Sequence, residues 1–533
     1  MLITAMEIEN FKGISDRVRI DLKPVTLLFG ANSAGKSTII QALHYAHEIF
    51  ERGNLNPGKT IRGGSTIDLG GFENLVYNRD LARTIKLHFE GVMEDQDDLP
   101  QRFMVTLWEE SAAPYGQLLE KNIKFSFEIE VSWSEIEKKP FVQKYQLSLN
   151  GDLPIAIIQS LHPNKVFISP SGELQRRLFR DDENSDLIEM FRWWVGVYGC
   201  EEYIVAAGSV FEIGLDMPSA LPMWGQSLVF KYPFDGQPDE RRYPEGYSPE
   251  SNMGWTFVAF LNIMFVRTGE LLCDALGRFL YLGPLREIPS RSFLLERSPE
   301  QARWASGLAA WDVLQQATDD FIDEFNKWFT GPDHLNTGYS IFLSRFKEVE
   351  DNSPLMLAIA NGLALDDDER IADYLNSLPT KTRLYLRDEK TGITLLPHDI
   401  GIGISQLAPV IVLALHAQNS LAVIEQPELH IHPALQVALG DLFITQAKAK
   451  NNVFLLETHS EHLLLRLLRR IRETHEDELP PGVEGLTPEN LAIYYIEPGD
   501  SGMKVRKLEV DETGDSSNKW PDGFFEERHG ELY

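Results

Sequence analysis

The chain has 533 residues, 43% hydrophobic and 24% charged, a balance that fits a folded globular protein of roughly three domains and excludes a disordered or fibrous one. Its 80 acidic against 50 basic side chains give a formal charge of −30, so nucleic acid is repelled on average and any contact with it needs a local basic patch. Two distant cysteines, Cys200 and Cys273, exclude a disulfide framework or zinc module, and the charged start MLITAMEIENFKG with no run of ~18 apolar residues excludes a signal peptide or membrane span, so the expected location is the cytoplasm.

Residues 25–29, Val-Thr-Leu-Leu-Phe, form a short apolar run of the kind that makes a buried parallel strand. GANSAGKST follows, Gly30 to Thr38, and fits G-x-x-x-x-G-K-[ST] without a gap. Ile39, Ile40, Leu43 and Phe50 then recur at helical spacing. Strand, loop and helix come in the order a phosphate-binding loop requires. Gly30 and Gly35 let the backbone curl so that the N–H groups of the loop, including Asn32, Ser33 and Ala34, face inward. Those donors and the positive helix end suit the phosphates of a nucleoside triphosphate, expected to be ATP. Lys36 is expected on the β- and γ-phosphates, and Ser37, next to Thr38, on Mg²⁺.

A long middle segment, about residues 90–385, must carry structure of its own. Residues 83–90 and 122–132 alternate apolar and polar and predict strands. In YLGPLRE, Tyr281 to Glu287, Arg286 follows a Gly-Pro turn; a phosphate, a partner subunit or a structural ion pair would each suit it. Residues 298–329 predict a helix with Trp304, Leu308, Trp311, Leu314 and Phe321 near one face, a stripe typical of core. No long heptad array is present, so no extended coiled coil is expected.

Gly401 to Leu415, GIGISQLAPVIVLAL, opens on glycines and becomes an apolar helix. Leu421 to Glu425 is another buried-strand pattern, ending in an acid suited to the Mg²⁺ side of the site. In the following HIHP, Glu428, His430 and His432 alternate; a metal site is one reading and ordinary loop residues the other. Val453 to Leu456 predict a further strand, followed by Glu457, Thr458, His459 and Ser460, where His459 can polarise a γ-phosphate or serve only structure. Arg466, Arg469, Arg470 and Arg472 put the most basic patch on helix 461–474, either a nucleic-acid contact or a solvated face. Leu491 to Glu497 and Met503 to Asp511 predict a hairpin turned at Pro498–Gly502.

The set GANSAGKST, GIGISQLAP, EQPELHIHP and ETHS resembles the ABC-type ATPase heads of the SMC, RecF and OLD-nuclease kind. Within that group it is most similar to single-chain AAA-15/AAA-21 ATPases, including PtuA of the Septu anti-phage system and retron-linked versions; YLGPLRE and the terminal WPDGFFEE (Trp520 to Glu527) also fit. The resemblance implies an α/β P-loop head built from residues 1–90 and 385–533, around a mixed β and helical insertion at 91–384. It makes Glu425 the Walker B acid and a metal ligand with Ser37, His430 to Pro433 the D-loop, and His459 the switch histidine. Gly403, Ser405 and Gln406 become the signature motif that meets the nucleotide of a second subunit. Asn10, Phe11 and Lys12 match the N-F-[KR] that lies near the nucleotide, while Asp68 to Asp80, where a Q-loop belongs, has no glutamine.

One departure from the pattern bears on chemistry. Relatives carry Asp then a water-activating Glu, where this chain has Glu425 and Gln426. Glutamine orients water but takes no proton, so hydrolysis is expected to be slow or to fall to Glu428. The implied partners are a second copy across sandwiched ATP, with a higher oligomer open, and a separate HNH-type, PtuB-like nuclease or toxin. A retron reverse transcriptase with its msDNA is a further implied partner. After His459 too little chain follows for a Toprim nuclease domain. RecF-like DNA repair and a slow-hydrolysing, ATP-locked scaffold or sensor stand as alternatives.

Overall fold

The computed structural model describes residues 1–31, 34–93, 123–149, 154–162, 165–170, 213–229, 261–289, 301–360, 368–499 and 502–515. Asn32, Ser33, Cys200 and the Trp520 to Glu527 stretch lie outside them. In chain order, β1 (Leu2–Glu9), β2 (Val18–Asp21) and β3 (Val25–Gly30) lead into α1 (Lys36–Arg52) and α2 (Phe72–Leu75). Then come β4 (Ile85–Met93), β5 (Ile123–Ser134), β6 (Lys139–Leu149), β7 (Pro154–His162), β8 (Lys165–Pro170) and β9 (Ile213–Leu215). Next are α3 (Thr268–Gly277), β10 (Leu280–Leu282), α4 (Gln301–Ala305), α5 (Leu308–Gln316), α6 (Asp319–Thr330) and β11 (Tyr339–Lys347). Past α7 (Pro354–Ala360) and α8 (Asp368–Ser377) lie β12 (Thr380–Asp388), β13 (Thr394–Leu395) and α9 (Ile402–His416). The chain continues through β14 (Leu421–Glu425), α10 (Pro433–Lys450), β15 (Val453–Glu457), α11 (Glu461–His475), β16 (Leu491–Gly499) and β17 (Gly502–Leu508).

A six-stranded sheet, ordered β10-β14-β15-β3-β16-β17, forms the centre, parallel except for the β16–β17 hairpin. Its middle strands β3, β14 and β15 are buried along their whole length, which is why they read as unbroken apolar runs. The pleat divides them between two cores: Leu28, Val423 and Leu455 face one, and Leu27, Ile424 and Leu456 the other. The first core is closed by α1 and by an antiparallel eight-stranded sheet, ordered β2-β1-β4-β5-β6-β7-β8-β9. The second is built around α9, whose residues 405–415 are all buried, with α5, α6, α10 and α11 packed about it. Among the described residues the longest helix is α10, at 18 residues, and there is no long coiled coil. No described helix is long and apolar enough to cross a membrane.

The expected strands at 83–90 and 122–132 are β4 and β5, and the expected hairpin is β16–β17 with a tighter turn. Other features differ from expectation. The single helix foreseen at 298–329 is three pieces, α4, α5 and α6, because Gly307 turns left-handed (φ 78°) and Ala317 is extended. Trp304, Trp311 and Leu314 are nevertheless core. The boundaries at 90 and 384 do not follow the chain's packing. The eight-stranded sheet joins β1 and β2 to strands beyond residue 90, the cut at 384 falls inside β12, and β10 completes the central sheet from inside the supposed insertion.

Candidate functional site

The site lies at the C-terminal ends of β3, β14 and β15, the mouth where parallel α/β sheets hold ligands. Glu425 and Glu457 end adjacent strands in register, and Glu457 pairs with Leu28 of β3 on its other side. The loop after β3 turns at Gly30 (φ 149°) and at Gly35 (φ 101°), which caps α1. A side chain at Gly30 would meet the Ile496 carbonyl at 2.3 Å, so β16 forms one wall of the loop. Met503 of β17 forms another, with its sulfur 2.4 Å from where a Cβ on Gly35 would sit. Ala34 and Thr38 donate to the Ala31 and Gly35 carbonyls and hold the curl.

Lys36 is buried and folded back over the loop, donating to the Gly30 and Ala31 carbonyls at 3.0 Å each. It also lies 3.8 Å from Glu457 Oε1, while the Ser37 hydroxyl donates to Glu457 Oε2 at 3.1 Å. Burial pushes the Lys36 ammonium down and three acids, Glu457 first, oppose that. Burial and the neighbouring Glu457 push Glu425 up to about 7. Glu457 and Glu428 are pushed up as well, chiefly by burial. Three buried or half-buried carboxylates thus crowd one ammonium. Their hard oxygens, with the Ser37 hydroxyl, suit Mg²⁺, which takes oxygen ligands from one or two carboxylates together with phosphates. Ser37 and Glu425 are the residues the sequence offered for that ion.

The segment Tyr281 to Arg286 embraces the end of β14 from two sides. The Tyr281 hydroxyl donates to Glu425 Oε1 at 2.7 Å. Arg286 is buried; it donates to the Glu425 and Gln426 carbonyls at 2.7 and 3.0 Å and makes no direct ion pair among the described residues, although Glu428 and Glu425 lie close enough to act on it. The structural ion-pair reading of Arg286 is therefore corrected: its guanidinium donates to main-chain oxygens of Gln406, Glu425 and Gln426, 120 to 140 residues away. Gln406 is buried too, and exchanges hydrogen bonds with the Arg286 backbone in both directions. The Ser405 hydroxyl turns back to the Ile402 carbonyl. Of the signature residues only Gly403 borders the surface, against the His430 carbonyl, because Ser405 and Gln406 are spent inside the subunit.

Gln426 has φ 46° and donates its N–H to the Glu457 carbonyl at 2.7 Å, tying the two strand ends together. Glu428 is occupied: its oxygens accept from the Thr458 hydroxyl at 2.8 Å and the His459 N–H at 2.6 Å. It clamps the switch loop. His459 is half-buried, burial and Lys36 push its imidazole down, and its Nε2 has no hydrogen-bond partner among the described residues. The metal reading of HIHP is also corrected. Glu428 points to the switch loop, and His432 caps α10 through Nδ1, accepting from Ala434 N.

The Asn10–Lys12 turn is left-handed at Asn10 and Lys12 (φ 56° and 49°) and docks on the 68–80 segment, Lys12 N donating to the Leu75 carbonyl. Lys12 is half-buried, its ammonium pushed down by burial. The neighbouring Gly13 carbonyl accepts from Met503 N, so this turn abuts the hairpin that walls the loop. Three of the four arginines of α11 are ion-paired, Arg466 and Arg470 with Asp441 and Arg469 and Arg470 with Glu473, while Arg472 is exposed. A cavity of about 610 Å³ lies near the start of β10 and just before β14, at the other end of these strands.

Glu457 is the site residue that the sequence reading quoted without a role. Its signal was the pattern already used for Glu425, a buried apolar strand ending in an acid.

A phosphate-binding loop, a parallel sheet and acids at its strand ends define a P-loop nucleotide-binding ATPase module. Comparison with known families agrees for both halves of the chain. Residues 1–145 match the AAA ATPase domain model AAA_15. Residues 281–466 match the AAA_21 domain, whose description names a candidate AbiEii toxin of type IV TA systems, and residues 486–533 match a domain of unknown function, DUF3696. No curated protein matches the chain. Similar solved structures include an SMC head bound to the C-terminal winged-helix domain of ScpA (10% identity, TM-score 0.38, covering 96% of this chain and 99% of that one). An SMC head domain from Thermotoga maritima (10%, 0.35, 96% and 100%) and one from Pyrococcus furiosus bound to the ScpA C-terminal domain (11%, 0.35, 95% and 96%) are also similar.

Proposed function

We propose that this protein is an ATP-driven switch: it binds Mg²⁺–ATP at the strand ends, pairs with a second copy across the nucleotide, and hydrolyses slowly. The observation that carries this reading is the convergence of Lys36 and Ser37 with Glu457 and Glu425 across 420 residues of sequence. Gly30, Ala34, Gly35 and Thr38 shape the phosphate cradle, with Asn32 and Ser33 assigned to it from the motif alone. Lys36, released from the Gly30 and Ala31 carbonyls, takes the β- and γ-phosphates. Mg²⁺ supplies charge neutralisation of the phosphates, and Ser37 and Glu425 are the residues proposed to hold it. The Tyr281 hydrogen bond aims Glu425, and Glu428 aims His459 toward the γ-phosphate side. Lys12 is the proposed contact of the N-terminal turn with the nucleotide.

Slow turnover rests on Gln426, which positions a water without taking its proton. It favours a long-lived ATP-bound dimer and supports the scaffold or sensor reading beside that of a turning-over ATPase. The ion-paired arginines of α11 weigh against direct DNA binding of the RecF kind. By motif resemblance the proposed biological setting is bacterial anti-phage defence, with a separate HNH-type nuclease or toxin as effector and retron components as further candidates. Mass measurement with and without ATP tests the switch: the wild type should double in mass with ATP and Lys36→Ala should not. A wild type whose mass ignores ATP overturns the dimer reading. Co-purification of a small HNH protein from the native host tests the setting.

A further inference from the structure

Resting on the nucleotide reading above, we propose that Glu457 is a direct ligand of the divalent cation, so that Ser37, Glu425 and Glu457 form a site held by two strand-end carboxylates instead of one. Glu457 closes β15 in register with Glu425, which closes β14. Neighbouring parallel strands lie about 4.8 Å apart, and residues in register project to the same side. Two carboxylates at that spacing can reach adjacent corners of an octahedron with ligands about 2.1 Å from its centre. The third corner is present as well, since the Ser37 hydroxyl already meets Glu457 Oε2 at 3.1 Å.

Charge points the same way. Glu457 is 5% exposed, and among the described residues it meets the Lys36 ammonium at 3.8 Å. Phosphates that draw Lys36 away leave Glu457 as a buried charge without a counterion, a costly arrangement. A dication between Glu457 and Glu425 removes that cost. Glu428 lies beyond the strand end and is held to the switch loop, its oxygens accepting from the Thr458 hydroxyl and the His459 N–H. Glu425 is prepared for the role, with Oε1 fixed by Tyr281.

The test uses the full-length protein and two probes, a non-hydrolysable ATP analogue in EDTA and the same analogue with Mn²⁺ followed by electron paramagnetic resonance. E457Q should weaken Mn²⁺ binding by roughly 10- to 100-fold and leave analogue affinity in EDTA unchanged or tighter. E425Q should behave alike, E428Q should keep wild-type Mn²⁺ affinity, and E457D should fall between E457Q and the wild type. Analogue binding in EDTA also reports that each variant is folded. Wild-type Mn²⁺ affinity in E457Q overturns the Glu457 assignment alone. A wild type that binds no analogue in either buffer overturns the nucleotide reading, and this proposal with it.

Discussion

Two groups of acids on this molecule look alike in composition and differ in charge balance. On the outer face of the eight-stranded sheet, Glu7, His88 and Glu90 bring ligand atoms within 4.8 Å of one another, a spacing that would admit a metal ion. There Arg19 pairs with Glu7, Glu90 and Asp21, Arg17 pairs with Glu7 and Glu128, and Lys144 pairs with Glu128 and Glu130. The hydrogen bond from Arg19 holds Glu90 below its ordinary range, and Lys144 with Arg17 does the same for Glu128 against burial. At the mouth of the central sheet Glu425, Glu428 and Glu457 face Lys36, and the first two also feel the buried Arg286, yet all three are pushed up by burial. A matched cluster is a finished piece of surface structure. A mismatched, buried one is the arrangement that the proposed cation would neutralise.

The largest effect expected of this contrast comes from the lysine of the mismatched group. Lys36→Ala should lower ATP affinity on the order of 1,000-fold, measured by calorimetry, because it removes the charged donor for the phosphates. Next comes pH. Glu425 has a folded pKa of about 7, above the ordinary 4.5, so the folded state binds the extra proton between those values. Stability therefore rises as pH falls from about 7 toward 4.5, by about 3 kcal/mol for this group. Glu90 and Glu128 act with the opposite sign, their stabilisation being present above the ordinary range and lost only as pH falls below it. Buried His44 and His47, pushed down by burial, also cost stability as pH falls below the ordinary imidazole range. The difference in melting between wild type and Glu425→Gln, without metal or nucleotide, isolates the strand-end acid. It should be largest above pH 7, with the variant more stable, and vanish near pH 4.5; a constant difference would break the contrast.

Gln426→Glu should raise the rate of phosphate release by about 100-fold, the low end of the usual range of a general base. Unchanged release would mean that water is activated elsewhere. The smallest effect belongs to the matched cluster. Arg19 is 44% exposed, so Arg19→Gln should shift stability by no more than about 1 kcal/mol, read by urea denaturation. A larger loss would show that the outer cluster is under more strain than its ion pairs suggest.

How far each part could be read in the sequence follows the range of its interactions. The phosphate loop is contiguous, and Gly30, Gly35, Lys36 and Ser37 act through local backbone geometry, so the motif announces them. The all-buried strands β3, β14 and β15 announce themselves by apolar runs, and the fold class follows. Arg286 was ambiguous because its partners Gln406, Glu425 and Gln426 are 120 to 140 residues away. The arginines of α11 read as a basic face because Asp441, which neutralises two of them, is on a different helix. The break at Gly307 was missed because an apolar stripe can run on through a left-handed residue. Glu457 carries the same strand-end signal as Glu425, but its meeting with Ser37 spans 420 residues, which no local pattern shows.

The position of β3 has a consequence for how the protein is made. Both of its neighbours, β15 and β16, come from the last hundred residues of the chain, and Ser37 meets Glu457 across 420 intervening positions. During vectorial synthesis at roughly 5 to 20 residues per second, the strand leading into the phosphate loop waits some 20 to 80 s with both edges bare. A nascent polypeptide still on the ribosome therefore has no finished nucleotide site, and ATP cannot act as a template until the final hairpin has emerged.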